Sequence, residues 1–165
     1  MRVVGVDPGC YGALALFVDG CPSSVHDMPI IKVRRGKTDK AEIDSHSLWA
    51  LLQKLAPDIG VVEQVGGMTG QSASAAFNFG RAAGAPEYLF VAAGARLERV
   101  SPMRWKKALG VKPGKDDSRA QAMKLWPGFA SHFARKKDDG RAEAALIAHW
   151  FSLQQPNDGG QDVFS

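Results

Sequence analysis

Polar and apolar positions divide the chain into short apolar blocks near its start and helical stripes further on. Residues 2–7 (RVVGVD) and 12–18 (GALALFV) are compact apolar runs bounded by Gly, Pro and Asp, and 23–28 repeats that spacing more weakly. Runs of this length between turn residues predict strands linked as an antiparallel meander. Residues 30–44 (IIKVRRGKTDKAEID) are polar and basic with no apolar period, which predicts a long loop. Leu48, Leu51, Leu52 and Leu55 then recur at helical steps, the stripe of a helix over 45–55. An apolar run at 59–62 predicts another strand, the small residues of 72–89 a closely packing helix, and 96–101, closed by Pro102, a further strand. Helices are predicted at 102–109, 116–126 and 139–153, and the Gly-, Pro- and polar-rich residues 154–165 read as a flexible tail. The order of elements predicts an α/β fold in one domain over 1–153: a mixed sheet, an antiparallel meander plus parallel strands, flanked by helices.

Length and charge narrow the functional classes. A chain of 165 residues with 45% hydrophobic content can bury one core and is short for two lobes. Lys and Arg outnumber Asp and Glu by 21 to 17, which favours a polyanionic partner. No run approaches the ~20 apolar residues of a membrane span, and Asp7 interrupts the first apolar stretch too early for a signal peptide. A soluble, cytoplasmic protein without a membrane partner is expected. Cys10 and Cys21 lack metal-ligand spacing and are expected to stay reduced.

The chemistry suggested by the sequence is acidic. One strand ends on Asp7 and another runs into Glu63. A carboxylate at the tip of a buried strand is destabilising unless a cation meets it. Asp-Pro-Gly is a sound turn by itself, which alone accounts for Asp7; Glu63 has no such local reason, since Glu favours neither strands nor turns. In KKDDGRAEAALIAHW, residues 136–150, Asp139 and Glu143 stand four apart and project from nearly one helical face. Asp138 and Glu143 differ by roughly 140° unless Asp138 precedes the helix. Alanines, Leu146 and Ile147 surround Glu143, so its helix is expected to pack inward. Arg141 is one candidate partner for Glu143, in a purely structural ion pair. A divalent cation is the other: these carboxylates would repel one another if gathered without one, and all-oxygen ligation suits Mg²⁺ or Mn²⁺.

Taken in order, GVDPGCYGALAL, VVEQV and KKDDGRAEAALIA resemble the RuvC-like Holliday-junction resolvases of the ribonuclease H-like superfamily, the phage and prophage members being nearest in motif spacing, over about residues 2–150. The resemblance implies a ribonuclease H-like fold and a crossover junction endodeoxyribonuclease. Such an enzyme is a homodimer that binds four-way junction DNA and nicks two strands symmetrically by two-metal hydrolysis, with Mg²⁺ (or Mn²⁺), two ions per active site. The implied metal ligands are Asp7, Glu63, Asp139 and Glu143, with Asp138 as the alternate to Asp139. The family commonly spaces its helical acids three apart, whereas here Gly140, Arg141 and Ala142 intervene. By the same resemblance, PMRWKK places Lys106 at an active-site lysine and GKDDSRAQ places Lys115 near a second. The helix with Ser72, Ser74, Phe77 and Phe79 matches the dimer-forming region, and loop 66–70 the part that probes the junction centre, with Met68 as an apolar wedge between bases.

Basic residues supply candidate DNA contacts. Residues 96–124 hold nine Lys and Arg against three acids, including Arg104, Lys107 and Lys115 beside Lys106. The stretch KVRRGKTDK adds Lys32, Arg34, Arg35, Lys37 and Lys40, suited to phosphate contacts that position DNA without reading bases. Trp105 and His149 are expected to be packing residues. Competing functions are a related nuclease acting on RNA–DNA hybrids or single strands, an actin- or sugar-kinase-like nucleotide binder, which the single expected lobe disfavours, and a non-catalytic DNA-binding module.

Overall fold

A computed structural model of the chain describes residues 1–67, 69–112 and 116–155; Met68, Lys115 and all but the first two residues of the expected tail lie outside the described residues. Strands Arg2–Asp7 (β1), Ala13–Val18 (β2) and Cys21–Asp27 (β3) form the predicted meander, with Val4 opposite Leu16 and Asp7 opposite Ala13. Residues 30–44 depart from the expected loop. Ile30–Arg35 (β4) and Thr38–Ile43 (β5) pair as a separate two-stranded hairpin turning at Gly36-Lys37. Most of its residues stay in water, so no apolar alternation announces it. Cross-strand charges help to hold it instead: Arg34 donates to Asp39 at 3.2 Å, and Arg35 to Glu42.

Helix Ser45–Leu55 (α1) follows, capped by the Asp44 carboxylate on the Ser47 amide. Ile59–Glu63 (β6) then returns beside β1 in parallel. Ala73–Ala92 (α2) leads to Arg96–Val100 (β7), parallel to β6, and completes a five-stranded sheet in the order β3-β2-β1-β6-β7. Pro102–Ala108 (α3), Asp117–Leu125 (α4) and Asp139–Ser152 (α5) match the predicted helices to within two residues at each end. Between α4 and α5 lie two 3₁₀ segments, Pro127–Phe133 and Lys136–Asp138, too short to carry a sequence period. Among the described residues no helix is long and apolar enough to cross a membrane.

Strand alternation sorts the core into two layers. Val3, Ala15, Phe17, Ile59 and Val61 pack beneath α5, whereas Val4, Val6, Leu14, Leu16 and Val62 meet Leu48, Leu52 and Phe90 of α1 and α2 on the opposite face. Burying each large aliphatic side chain is worth about 1.5–3 kcal/mol. Helix α5 lies almost directly on β1. A Cβ added at Gly5 would stand 2.2 Å from the Ala144 carbonyl oxygen, so this strand position must be glycine for α5 to come so near.

Candidate metal centre

Period-two geometry sets the site. Asp7 and Glu63 continue the odd-numbered residues of β1 and β6, whose side chains point toward α5. The two strands run parallel with Val6 beside Val62, which brings their terminal acids level. Glu143, in the second turn of α5, meets them from the helix side. Asp7, Glu63 and Glu143 each offer an oxygen within 4.8 Å of the other two.

Burial first, and neighbouring charge after it, raises the proton affinity of Asp7, Glu63 and Asp139. Burial, then the charges of Glu143, Glu63 and Asp139, pushes the Asp7 carboxyl up to about 8, with Lys106 relieving part of the strain. Burial also pushes Glu63 up, opposed by a hydrogen bond from Trp105. Asp139 opens α5 outside the group of three, and burial followed by the Glu143 charge raises its carboxyl as well. Its Oδ1 is buried with no hydrogen-bond partner among the described residues. Three converging hard oxygens, with the buried and unpartnered Asp139 Oδ1 one helical turn before Glu143, fit a divalent cation.

Asp138 is engaged elsewhere. Only 1% exposed, it accepts from the Arg135 amide at 2.9 Å and the Arg135 guanidinium at 2.8 Å, and that arginine holds its carboxyl below the usual aspartate range. The position three before Glu143 is Gly140, where a Cβ would stand 2.7 Å from Asp7 Oδ2. A side chain there would crowd the Asp7 carboxylate and lie 3.1–3.2 Å from the backbone of Tyr11 and Gly12 in the turn after β1, and Asp139 is the next acid back.

Three side chains outside the carboxylate group orient it. Trp105, fully buried in α3, donates its indole N–H to Glu63 at 2.8 Å. Lys106 Nζ donates to Glu143 Oε1 at 2.7 Å, and the Ser118 hydroxyl of α4 donates to the same oxygen at 3.1 Å. Burial works to lower the Lys106 value, but the Glu143 hydrogen bond and charge prevail and hold it above the ordinary lysine range. Trp105 is the packing residue the sequence suggests and a hydrogen-bond donor besides. A buried indole needs an acceptor, which is the signal that its pairing with a nearby acid could have been found by. Nothing in the sequence marks Ser118.

No protein-family model matches the chain, and no curated protein matches it in sequence. Among solved structures, RuvC of Thermus thermophilus in complex with Holliday junction substrate matches with a TM-score of 0.57, at 20% identity over 91% of each chain. A second structure of Thermus thermophilus RuvC matches with a TM-score of 0.50, at 20% identity over 91% of this chain and 92% of the other. The fold is that of RuvC, ribonuclease H-like.

On this RuvC-like framework the remaining predicted residues scatter. Arg141, the candidate ion-pair partner of Glu143, instead grips Asp27 at 2.6 and 2.7 Å, because the first turn of α5 turns it toward the end of β3. Lys106 takes its place beside Glu143. Arg104 stacks over Trp150, its guanidinium carbon 5.3 Å from the ring centroid, two turns along α5 from Glu143 and away from the acids. Arg96, Arg99 and Arg119 pair with Glu98, Glu87 and Asp116, so the charge excess of 96–124 is not one uniform surface. Arg34 and Arg35 are tied into the hairpin. Lys32, Lys37, Lys40 and Lys107 are exposed and have no ion pair among the described residues. Phe77 is 67% exposed, while Phe79 is half-buried, its ring near Gly9.

Proposed function

We propose that the protein is a divalent-metal-dependent endodeoxyribonuclease that resolves four-way DNA junctions by symmetric paired nicks, acting as a homodimer. The observation that carries this reading is the convergence of Asp7, Glu63 and Glu143, from distant parts of the chain, at the strand ends of a RuvC-like sheet. The junction-bound Thermus RuvC, of similar fold, supports the substrate class.

Asp7, Glu63, Glu143 and Asp139 are assigned as the residues that hold two Mg²⁺ ions. Bound there, the ions supply Lewis acidity that makes a water nucleophilic and neutralises the leaving oxygen. Trp105 and Ser118 keep Glu63 and Glu143 in position, since their hydrogen bonds lock the carboxylate rotamers before substrate arrives. Lys106 stays protonated beside Glu143 and offers its ammonium to a phosphate oxygen as charge builds on it. The acids cluster on one face of the sheet, and no side-chain nucleophile is needed. Pairing of the cuts requires a second copy. The exposed side of α2, where Phe77, Tyr88 and Val91 present large apolar side chains at 67, 74 and 62% exposure, is the surface assigned to it.

A cleavage panel in Mg²⁺ of four-way junction, Y-fork, duplex and RNA–DNA hybrid tests the proposal. The junction is expected to be cut preferentially. Preference for the hybrid or the fork would move the protein to another ribonuclease H-like activity, and junction binding without any cleavage would make it a binding module. Asp7→Asn is expected to abolish nicking while binding survives; nicking at near the unmodified rate would remove Asp7 from its assigned role.

A further inference from the structure

Asp7, Ala13 and Asp27 form one row across three strands: Asp7 of β1 pairs with Ala13 of β2, and Ala13 with Asp27 of β3. Residues in such a row share a face of the sheet, and Ala13 belongs to the core layer beneath α5. Asp27 therefore approaches from the edge strand the same helix that Asp7 meets from the centre. Arg141 of α5 grips it with two parallel hydrogen bonds, Nε to Oδ1 at 2.6 Å and Nη2 to Oδ2 at 2.7 Å. The same guanidinium stands 3.9 Å from the buried Asp138, which ties down the turn before the helix through Arg135. The Arg141 hydrogen bond keeps the Asp27 carboxyl below the ordinary aspartate range, so the pair is charged at neutral pH.

With the Asp27 side chain 64% exposed, such a pair adds little to stability. Its place on the helix gives it another use. Arg141 is two residues from Asp139 and two from Glu143, so at 100° per residue it projects roughly 160° away from both. Between these two sides the seat of the helix is smooth. Gly140 lies on the turn after β1 and Ala144 over Gly5, and residues 139–145 hold no large apolar side chain to key into the sheet. Leu146, Ile147, Trp150 and Phe151, which do interlock with the core, all come later. A roll of the first two turns by about 20° would carry a carboxylate ~5–6 Å from the helix axis by about 2 Å. Metal ligands must be held to within roughly 0.5 Å. Lys106 and Ser118 act on the Glu143 side chain, whereas Arg141 acts on the helix that carries it. We infer that Asp27 and Arg141 are positioning residues: by tethering α5 to the end of β3 they set the roll of the helix and hold Glu143 toward Asp7 and Glu63, with Asp139 one turn behind. This inference rests on the nuclease reading above and deepens it, because it gives the edge strand a part in assembling the metal site.

The test compares the full chain with Asp27→Ala, Asp27→Glu, Arg141→Ala and the Asp27→Ala, Arg141→Ala double variant. Three quantities are read: Mg²⁺ affinity by calorimetry on the protein alone, kcat and KM on a four-way junction, and the melting temperature. Asp27→Ala is expected to weaken Mg²⁺ binding by about tenfold and to lower kcat by about tenfold, while KM and the melting temperature stay nearly unchanged. Asp27→Glu keeps the carboxylate and should recover most of both losses. The two side chains act as one link, so the double variant should lose no more than Arg141→Ala alone. Should Arg141→Ala fail to fold because Asp138 loses a neighbouring charge, the two Asp27 variants decide by themselves. Unchanged Mg²⁺ affinity and kcat in Asp27→Ala, or losses matched by a fall in melting temperature, would overturn the inference and leave the nuclease reading standing. A protein that cuts no nucleic acid in the panel would defeat the nuclease reading, and the Mg²⁺ affinities of the unmodified chain and of Asp27→Ala would still decide whether Asp27 positions the acids.

Discussion

Asp138 and Asp139 are neighbours in the chain and opposites in environment. Asp138 is buried against Arg135 and joins the end of a 3₁₀ turn to the start of α5, whereas Asp139 carries a buried oxygen with no partner among the described residues. Their substitutions should separate stability from metal binding. Asp138→Asn is expected to lower stability by ~1–3 kcal/mol, the range for losing a charged hydrogen bond, as read by urea denaturation. Asp139→Asn should leave stability nearly unchanged and weaken Mg²⁺ binding measured by calorimetry. The reverse pattern would reassign the two residues. Asp7 makes a further prediction. Its carboxyl titrates near 8 in the folded chain against 3.8 for an ordinary aspartate, so between those values the folded state holds a proton that the unfolded state has lost. Stability from this group is therefore fully present below about pH 4 and disappears as pH rises toward 8. The metal-free protein should melt at progressively lower temperature across that window, Asp7→Asn should flatten the slope, and Mg²⁺ at pH 8 should restore the melting temperature. Melting unaffected by pH in the metal-free protein would contradict the crowding of acids around Asp7.

At the scale of elements, the β4–β5 hairpin is mostly exposed and is the element to which the proposed function gives phosphate contacts. Two of its arginines are occupied by Asp39 and Glu42, which leaves Lys32, Lys37 and Lys40 as its exposed cations without an ion pair among the described residues. Exposed lysines act on phosphate through charge alone. Replacing all three by alanine should weaken junction binding at low salt for every sequence alike, and lower the slope of log affinity against log salt by about one for each lysine that contacts a phosphate. An unchanged slope would place the DNA path elsewhere. Helix α3 has a different duty. Because Val100 of β7 is level with Glu63, the chain turns at Ser101 straight into α3, and this delivers Trp105 to Glu63 and Lys106 to Glu143 within one turn.

Among the described residues one group of three converging acids is found, while the four-way junction of the proposed function offers two equivalent strands. Two copies are needed for paired cuts, and α2 carries the exposed apolar residues suited to joining them. A Phe77→Asp, Tyr88→Asp double variant is expected to sediment as a monomer at micromolar concentration and to make single nicks in place of paired ones, as read on a junction held in a supercoiled plasmid. Paired cutting by a monomer, or dimerisation that survives the change, would remove α2 from this role.

Local pattern in the sequence determined more of this protein than its low identity to solved structures suggests. Apolar blocks between turn residues specify the meander, leucine spacing specifies α1, and acids at the tips of apolar strands mark Asp7 and Glu63, because a charge there opposes burial unless the fold gives it a partner. Alternation along the strands even fixes which face those acids share. Other features depended on residues far apart in the chain. A hairpin held partly by cross-strand charges has no apolar period to reveal it; the choice between Asp138 and Asp139 turns on Arg135 and on the tight approach of α5 to β1; Ser118 and Trp105 gain their roles only when α3 and α4 pack beside the acids. Periodicity reports which way a side chain points, since that is a local property of the backbone. The atoms a side chain meets belong to other segments, and only tertiary packing decides them.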